Sequence, residues 1–213
     1  MRVALITANV GNHCSPRTIC PQAFDGELVV IKYTDENFPL RASMTPRAQG
    51  KIPKMLGWQM HPGFDYYIWM DASFSITRDN SIQWLVSQCK GYHACFYRHT
   101  QRNFVREERQ FLEDEIKKGN KYIIERYANE LYNDEWFKED LPLLAAGLFI
   151  YTGAMFAPLY EWYCETMRYN INDQLSLPYI LKSNYCSFNV IQENILHNKR
   201  FVHSNEKPVV LLP

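Results

Sequence analysis

The stretch Tyr66-Tyr67-Ile68-Trp69-Met70-Asp71-Ala72-Ser73 decides the reading of this chain. Five apolar and aromatic residues in a row, rich in β-formers and following Asp65, make a short buried strand. The run then delivers an acid and, two positions on, a hydroxyl. If the extended conformation continues through them, Asp71 and Ser73 point to the same side. In open α/β sheets ligands bind outside the carboxyl ends of the strands, where the strand order switches. Oxygen ligands placed there suit a hard cation such as magnesium or manganese, which in turn neutralises a diphosphate. The plainer alternative is that Asp71 caps a turn with Ser73 beside it.

Four other short runs have the same character: Val3-Ala4-Leu5-Ile6, Leu28-Val29-Val30-Ile31, Ala94-Cys95-Phe96-Tyr97 and Leu148-Phe149-Ile150-Tyr151. Helical patterns lie between them. Thr45-Pro46 is an N-cap followed by proline at the first helical position, and Pro53 should kink the helix that follows. Asp79 or Asn80 is placed to cap the helix carrying Trp84, Leu85 and Val86. Phe104 to Lys118 is amphipathic, with Gly119 as its stop, and Pro158 to Tyr169 brings Leu159, Trp162, Tyr163 and Met167 to helical spacing. Alternating buried strands and helices predict an α/β fold with a mostly parallel central sheet covered on both faces, a Rossmann-like arrangement. At 213 residues the chain suits a single domain, 1–213, whether free-standing or cut from a longer protein.

Composition narrows the function. With 23 basic and 23 acidic residues the formal charge is zero, which argues against nucleic acid as the main partner. The six cysteines show no two-residue spacing of a zinc or redox site and read as free thiols of a reducing compartment. The first apolar run is too short for a signal peptide and no stretch reaches the length of a membrane span, so the expected location is cytoplasmic.

The acid, small residue and second oxygen ligand after a buried strand resemble the metal motif of GT-A glycosyltransferases, with Ser73 where that motif usually has Asp. Three more stretches agree in order. Ala4-Leu5-Ile6-Thr7-Ala8-Asn9 followed by Tyr33-Thr34-Asp35 looks like the strand and turn that hold the nucleoside. Ala145-Ala146-Gly147-Leu148-Phe149-Ile150-Tyr151 and then Asp173-Gln174-Leu175 are similar to the donor-sugar segments of glycosyltransferase family eight. His203-Ser204-Asn205-Glu206-Lys207-Pro208 resembles that family's closing segment, where a histidine ligates the metal and a lysine contacts the phosphates. The chain also resembles the glycosyltransferase domains of large chlorovirus proteins that build capsid glycans, which would place it in a host cytoplasm.

The resemblance implies a UDP-sugar donor, a glycan or glycoprotein acceptor, and manganese or magnesium held by Asp71, Ser73 and His203. It implies donor contacts from Thr7, Ala8, Asn9, Asp35, Asp71, Ala146, Gly147, Asp173, Gln174 and Lys207. Asp173 is the candidate base if the enzyme inverts and a sugar contact if it retains; as an alternative it simply caps a helix. Arg47, Lys51 and Lys54 share part of a helical face and either clamp the pyrophosphate or form a solvated basic face. Arg98-His99 and Arg102, before Glu107 and Glu108, make a polar cluster that either meets sugar or acceptor or is structural. His13, His61, His93 and His197 have no partner pattern and read as structural. Two rival readings are a metal-dependent nucleotidyltransferase or phosphohydrolase, which usually needs more than one clustered acid, and a non-catalytic nucleotide-sugar or glycan-binding module.

Overall fold

A computed structural model describes residues 1–12, 14–15, 17–117, 140–168 and 172–204. Among these, the chain order is β1 (Arg2–Asn9), β2 (Glu27–Thr34), α1 (Pro46–Met60), β3 (Tyr66–Met70), β4 (Phe74–Ile76), α2 (Ser81–Cys89), β5 (Ala94–Arg98), α3 (Val105–Lys117), β6 (Leu144–Tyr151), α4 (Phe156–Arg168), α5 (Leu177–Ser183), β7 (Phe188–Ile191) and β8 (Phe201–His203). Six strands form the central sheet in the order β2-β1-β3-β6-β5-β7, and β4 pairs with β8 in a small side sheet. Strand β6 is antiparallel to both neighbours, β3 and β5, while the other pairings of the central sheet are parallel. The expected α/β fold with a mostly parallel sheet is therefore present, with one strand reversed.

Strand alternation sorts the core into two layers. Ala4, Ile6, Tyr67, Trp69, Phe149 and Tyr151 face α1, α4 and α5, whose Met55, Leu159, Trp162 and Ile180 complete that layer. Val3, Leu5, Ile68, Met70, Leu148 and Ile150 face the other way, onto α2 and the β4–β8 sheet. Gly57 lets α1 lie close to β1: a Cβ there would sit 2.5 Å from Ile6 Cδ1.

Several local expectations hold and others need correcting. The Thr45 hydroxyl accepts from the Ala48 N–H at 3.2 Å and Pro46 opens α1 as predicted. That helix runs on through Pro53 to Met60. Asn80 occupies the N-cap position of α2, yet neither it nor Asp79 makes a side-chain cap there; Ser81 instead donates to Arg78 O. Asp173 does not cap α5, whose N-cap position belongs to Ser176, so its carboxylate is available for other partners. The predicted stop at Gly119 lies outside the described residues. Among the described residues no helix is long and apolar enough to cross a membrane.

Candidate active site

In the order β2-β1-β3 the chain leaves β1 in one direction to form β2 and later returns on the other side as β3. Diverging connections open a crevice at the carboxyl ends of those strands. There lies a cleft of about 540 Å³, lined by Ala8 and Asn9 from β1, by Trp69 and the Asp71-Ala72-Ser73 turn after β3, and by Lys51 and Lys54 from α1. Because β6 runs against its neighbours, it brings its beginning rather than its end to this crevice. Pairing with β5 jumps from Phe96–Phe149 to Tyr97–Ala145, so Ala146, Gly147 and Leu148 bulge out of the ladder, and Ala146 and Gly147 reach the cleft wall.

Asp71 sits just past the strand rather than in it. Its backbone N–H donates to Gly147 O at 2.7 Å, and its carbonyl accepts from the Phe74 N–H at 3.0 Å, closing a tight turn over Ala72 and Ser73. The argument that Asp71 and Ser73 share one side of an extended strand thus does not apply; a turn brings both to the cleft. Trp69 Nε1 donates to Asp71 Oδ1 at 2.7 Å and fixes the carboxylate's rotation. On the other side, a Cβ at Gly147 would lie 3.0 Å from Asp71 Oδ2, so the absence of a side chain there makes room for the acid.

Lys51 and Lys54 are not a solvated face. They are 8% and 4% exposed, and both ammonium groups reach the same oxygen of Asp173, at 2.7 and 2.5 Å from Oδ2. Burial lowers the Lys51 pKa to about 8, with Lys54 adding to the effect and Asp173 opposing it. For Asp173, burial would raise the carboxyl, but the two ammonium charges outweigh burial and hold it well below the usual carboxylate range. Lys54 also lies 5.6 Å from the Trp162 ring centre and 6.0 Å from that of Trp69. Trp162 Nε1 donates to Asp173 O at 2.8 Å, so the two indole N–H groups hold the two cleft acids, one through its carboxylate and one through its backbone.

Of the other predicted residues, Ala8, Asn9, Arg47, Ser73, Ala146, Gly147, Asp173 and Gln174 line the cleft. Asn9 is engaged in holding a loop: its side chain donates to Cys14 O and accepts from the Cys14 N–H. Asp35 is not at the cleft wall; it accepts from the Gly11 N–H at 2.7 Å, in a turn where Gly11 has φ +74° and packs against Pro46. Thr7 is buried behind the wall. His203 pairs opposite Phe74, with their rings 5.0 Å apart, and burial lowers its pKa against the opposing charge of Asp71. Its neighbour Ser204 reaches the cleft and donates its N–H to Ser73 O at 3.0 Å. Lys207 lies outside the described residues.

Sequence reasoning missed Val10, Cys14, Gly50 and Asn172 on the cleft wall. Asn172 donates to Glu108 Oε1 at 3.1 Å, and Glu108 also pairs with Arg102, which ties the polar cluster after β5 to the cleft rim. No spacing rule links residues so far apart in the chain.

The sheet, with Asp71 just past the carboxyl end of a central strand at the switch point, has the Rossmann-like form of the GT-A glycosyltransferases. The chain belongs to the TOD1/MUCI70 family of glycosyltransferase-like domains, whose sequence profile matches residues 31–203. Among solved structures it is similar to a glycosyltransferase involved in glycosylating the major capsid of PBCV-1, at 6% identity and a TM-score of 0.50 over 94% of this chain and 91% of that one. It is also similar to mouse xyloside xylosyltransferase 1, at 11% identity and a TM-score of 0.49 over 98% of this chain and 100% of that one. At 6% identity the likeness to the first of these is one of fold alone. No curated protein matches the chain.

Proposed function

We propose that this glycosyltransferase takes its sugar from a UDP-sugar and passes it to a glycan or glycoprotein acceptor, with manganese or magnesium at Asp71. The observation that carries the reading is the meeting of Asp71, Lys51 and Lys54 in one cleft at the switch point of the sheet. Breaking a glycosidic bond to a diphosphate leaves negative charge on the leaving group, and preorganised cations stabilise it as it forms.

The residues fit a cation of this kind. Asp71 Oδ1 is taken by Trp69, and Oδ2 faces Gly147 at the cleft wall. Ser73 lines the same turn, and burial favours the neutral, ligating form of His203. Among the described residues no three His, Cys, Asp or Glu side chains gather as ligands, so such a cation would rest on one carboxylate, His203 or Ser73, and phosphate oxygens and water. When bound, it adds positive charge against the diphosphate. The lysines bind and orient the phosphates from α1, and Trp69 holds the Asp71 carboxylate in place. Asp173, doubly paired and held ionised, is a weak proton acceptor, which supports a positioning or sugar-contacting role over that of a general base. Lys207 and Gln174 remain proposed donor contacts.

The test is calorimetric titration of uridine diphosphate with and without manganese, on wild type and on Asp71→Ala. Metal-strengthened binding that disappears in the variant is expected. Equal binding by both proteins would remove Asp71 from the site, and no binding by either would exclude a uridine donor. Sugar transfer measured beside phosphate release separates a transferase from a phosphohydrolase.

A further inference from the structure

The geometry points to a second, metal-free half of the phosphate site: Lys51 Nζ, paired beside Lys54 Nζ with Asp173 Oδ2, turns to a phosphate oxygen of the diphosphate, for which Asp173 is the standing competitor. This deepens the donor reading above and rests on it.

Three charged groups meet at one buried point, and the sum is one positive charge in excess. Among the described residues Asp173 is the one ion-pair partner of both ammonium groups, and each ammonium has three N–H bonds with which to hold a further acceptor. Buried charge of this kind is held only when paired, so the carboxylate is what makes an empty lysine pair tolerable. The pair lines the same cleft as Asp71, and Arg47 adds a further cation at the exposed rim of the same helix. The two lysines are not equivalent. Lys54 lies within 6.0 Å of two indole rings, which fix its position. Lys51 has no aromatic neighbour of that kind among the described residues, and its side chain is 10% exposed against 4% for Lys54. Lys51 is therefore the arm that turns from Asp173 to the ligand, while Lys54 stays as anchor. In its unpaired moments Asp173 repels the phosphates, so it sets a ceiling on diphosphate affinity and favours release of the product.

The experiment titrates inorganic diphosphate, which carries no sugar or base, into protein kept in EDTA. Asp173→Asn should bind it about tenfold tighter than wild type, as one charged hydrogen-bonding competitor is removed. Lys51→Gln, which keeps the Lys54–Asp173 pair and its charge balance, should bind about tenfold more weakly. Asp173→Asn binding no tighter than wild type, or Lys51→Gln binding equally well, overturns the proposal. If Asp173→Asn does not fold alone, inorganic diphosphate should restore folding, and failure to do so also overturns it. A role for Asp173 only as a sugar contact predicts no change with this probe. Failure of the donor reading would show separately, as absence of sugar transfer by wild type while this binding pattern persists.

Discussion

Asp71 depends on two neighbours that make no claim to chemistry. Trp69 turns its carboxylate, and Gly147 leaves the space into which Oδ2 projects. Gly147→Ala should therefore push Asp71 aside, with metal-assisted UDP binding weakened about tenfold, while the melting temperature changes little; unchanged binding would mean the carboxylate has room to spare. A second prediction concerns acid. The folded-state pKa of Asp173 is depressed, so the unfolded chain takes up this proton first. The pairing with the lysines stabilises the fold above the ordinary carboxylate pKa near 3.8, and this stability is withdrawn as pH falls below it. Asp173→Asn should flatten the stability–pH curve in that window, as followed by chemical denaturation at several pH values. At this scale the sequence told a partial story. Asp71 was legible because an apolar strand ending in an acid is a local pattern. Asp173 was visible as an acid before a helix, but its pairing with Lys51 and Lys54 comes from elements that meet only in the folded protein. The roles of Asn9 and Asp35 in tying down backbone were likewise hidden, since a resemblance names residue types and not their partners.

Helix α1 carries the cationic wall, and its placement is the main element-level device. Its start is set by Thr45 and Pro46, and its approach to the sheet by Gly57 over Ile6. Thr45→Ala should cost about 1 kcal/mol of stability by leaving the Ala48 N–H without its acceptor, measurable as a lowered denaturant midpoint. Five of the six strands of the central sheet, all but β7, were readable from short apolar runs; of those read, Tyr66–Met70 has the same limits in the structure. The reversal of β6 was not, because a strand buried on both faces reads the same in either direction. The side pair β4 and β8 escaped notice too: Phe74–Ile76 and Phe201–His203 are three residues each, too short for alternation to register.

For the whole molecule, the cleft is a joint product of β1, β3, β6, α1 and the segment leading into α5, so a ligand there bridges both core layers to the loops above them. Uridine diphosphate with manganese at about a hundred times its dissociation constant should raise stability by about 2.7 kcal/mol. Calorimetry should show this as one transition moved upward; two transitions, only one of them shifted, would mean that the cleft belongs to a smaller unit than the domain. The α/β class was readable because two rows of alternating side chains must both be covered, and the spacing of helices between strands shows what covers them.

The small side sheet also bears on the order of events during synthesis. Phe74 faces His203, and the turn holding Asp71 is latched by the Ser204 N–H, so the early acid finds its companions near the opposite end of the described chain. Contacts so distant in sequence close late, after the loop between them has been ordered. A nascent chain leaving the ribosome holds the acid turn and the lysine helix long before β8 emerges to latch the turn. Completion of the site then waits on β8, and a truncated translation product that stops short of β8 lacks the latch beside its donor cleft.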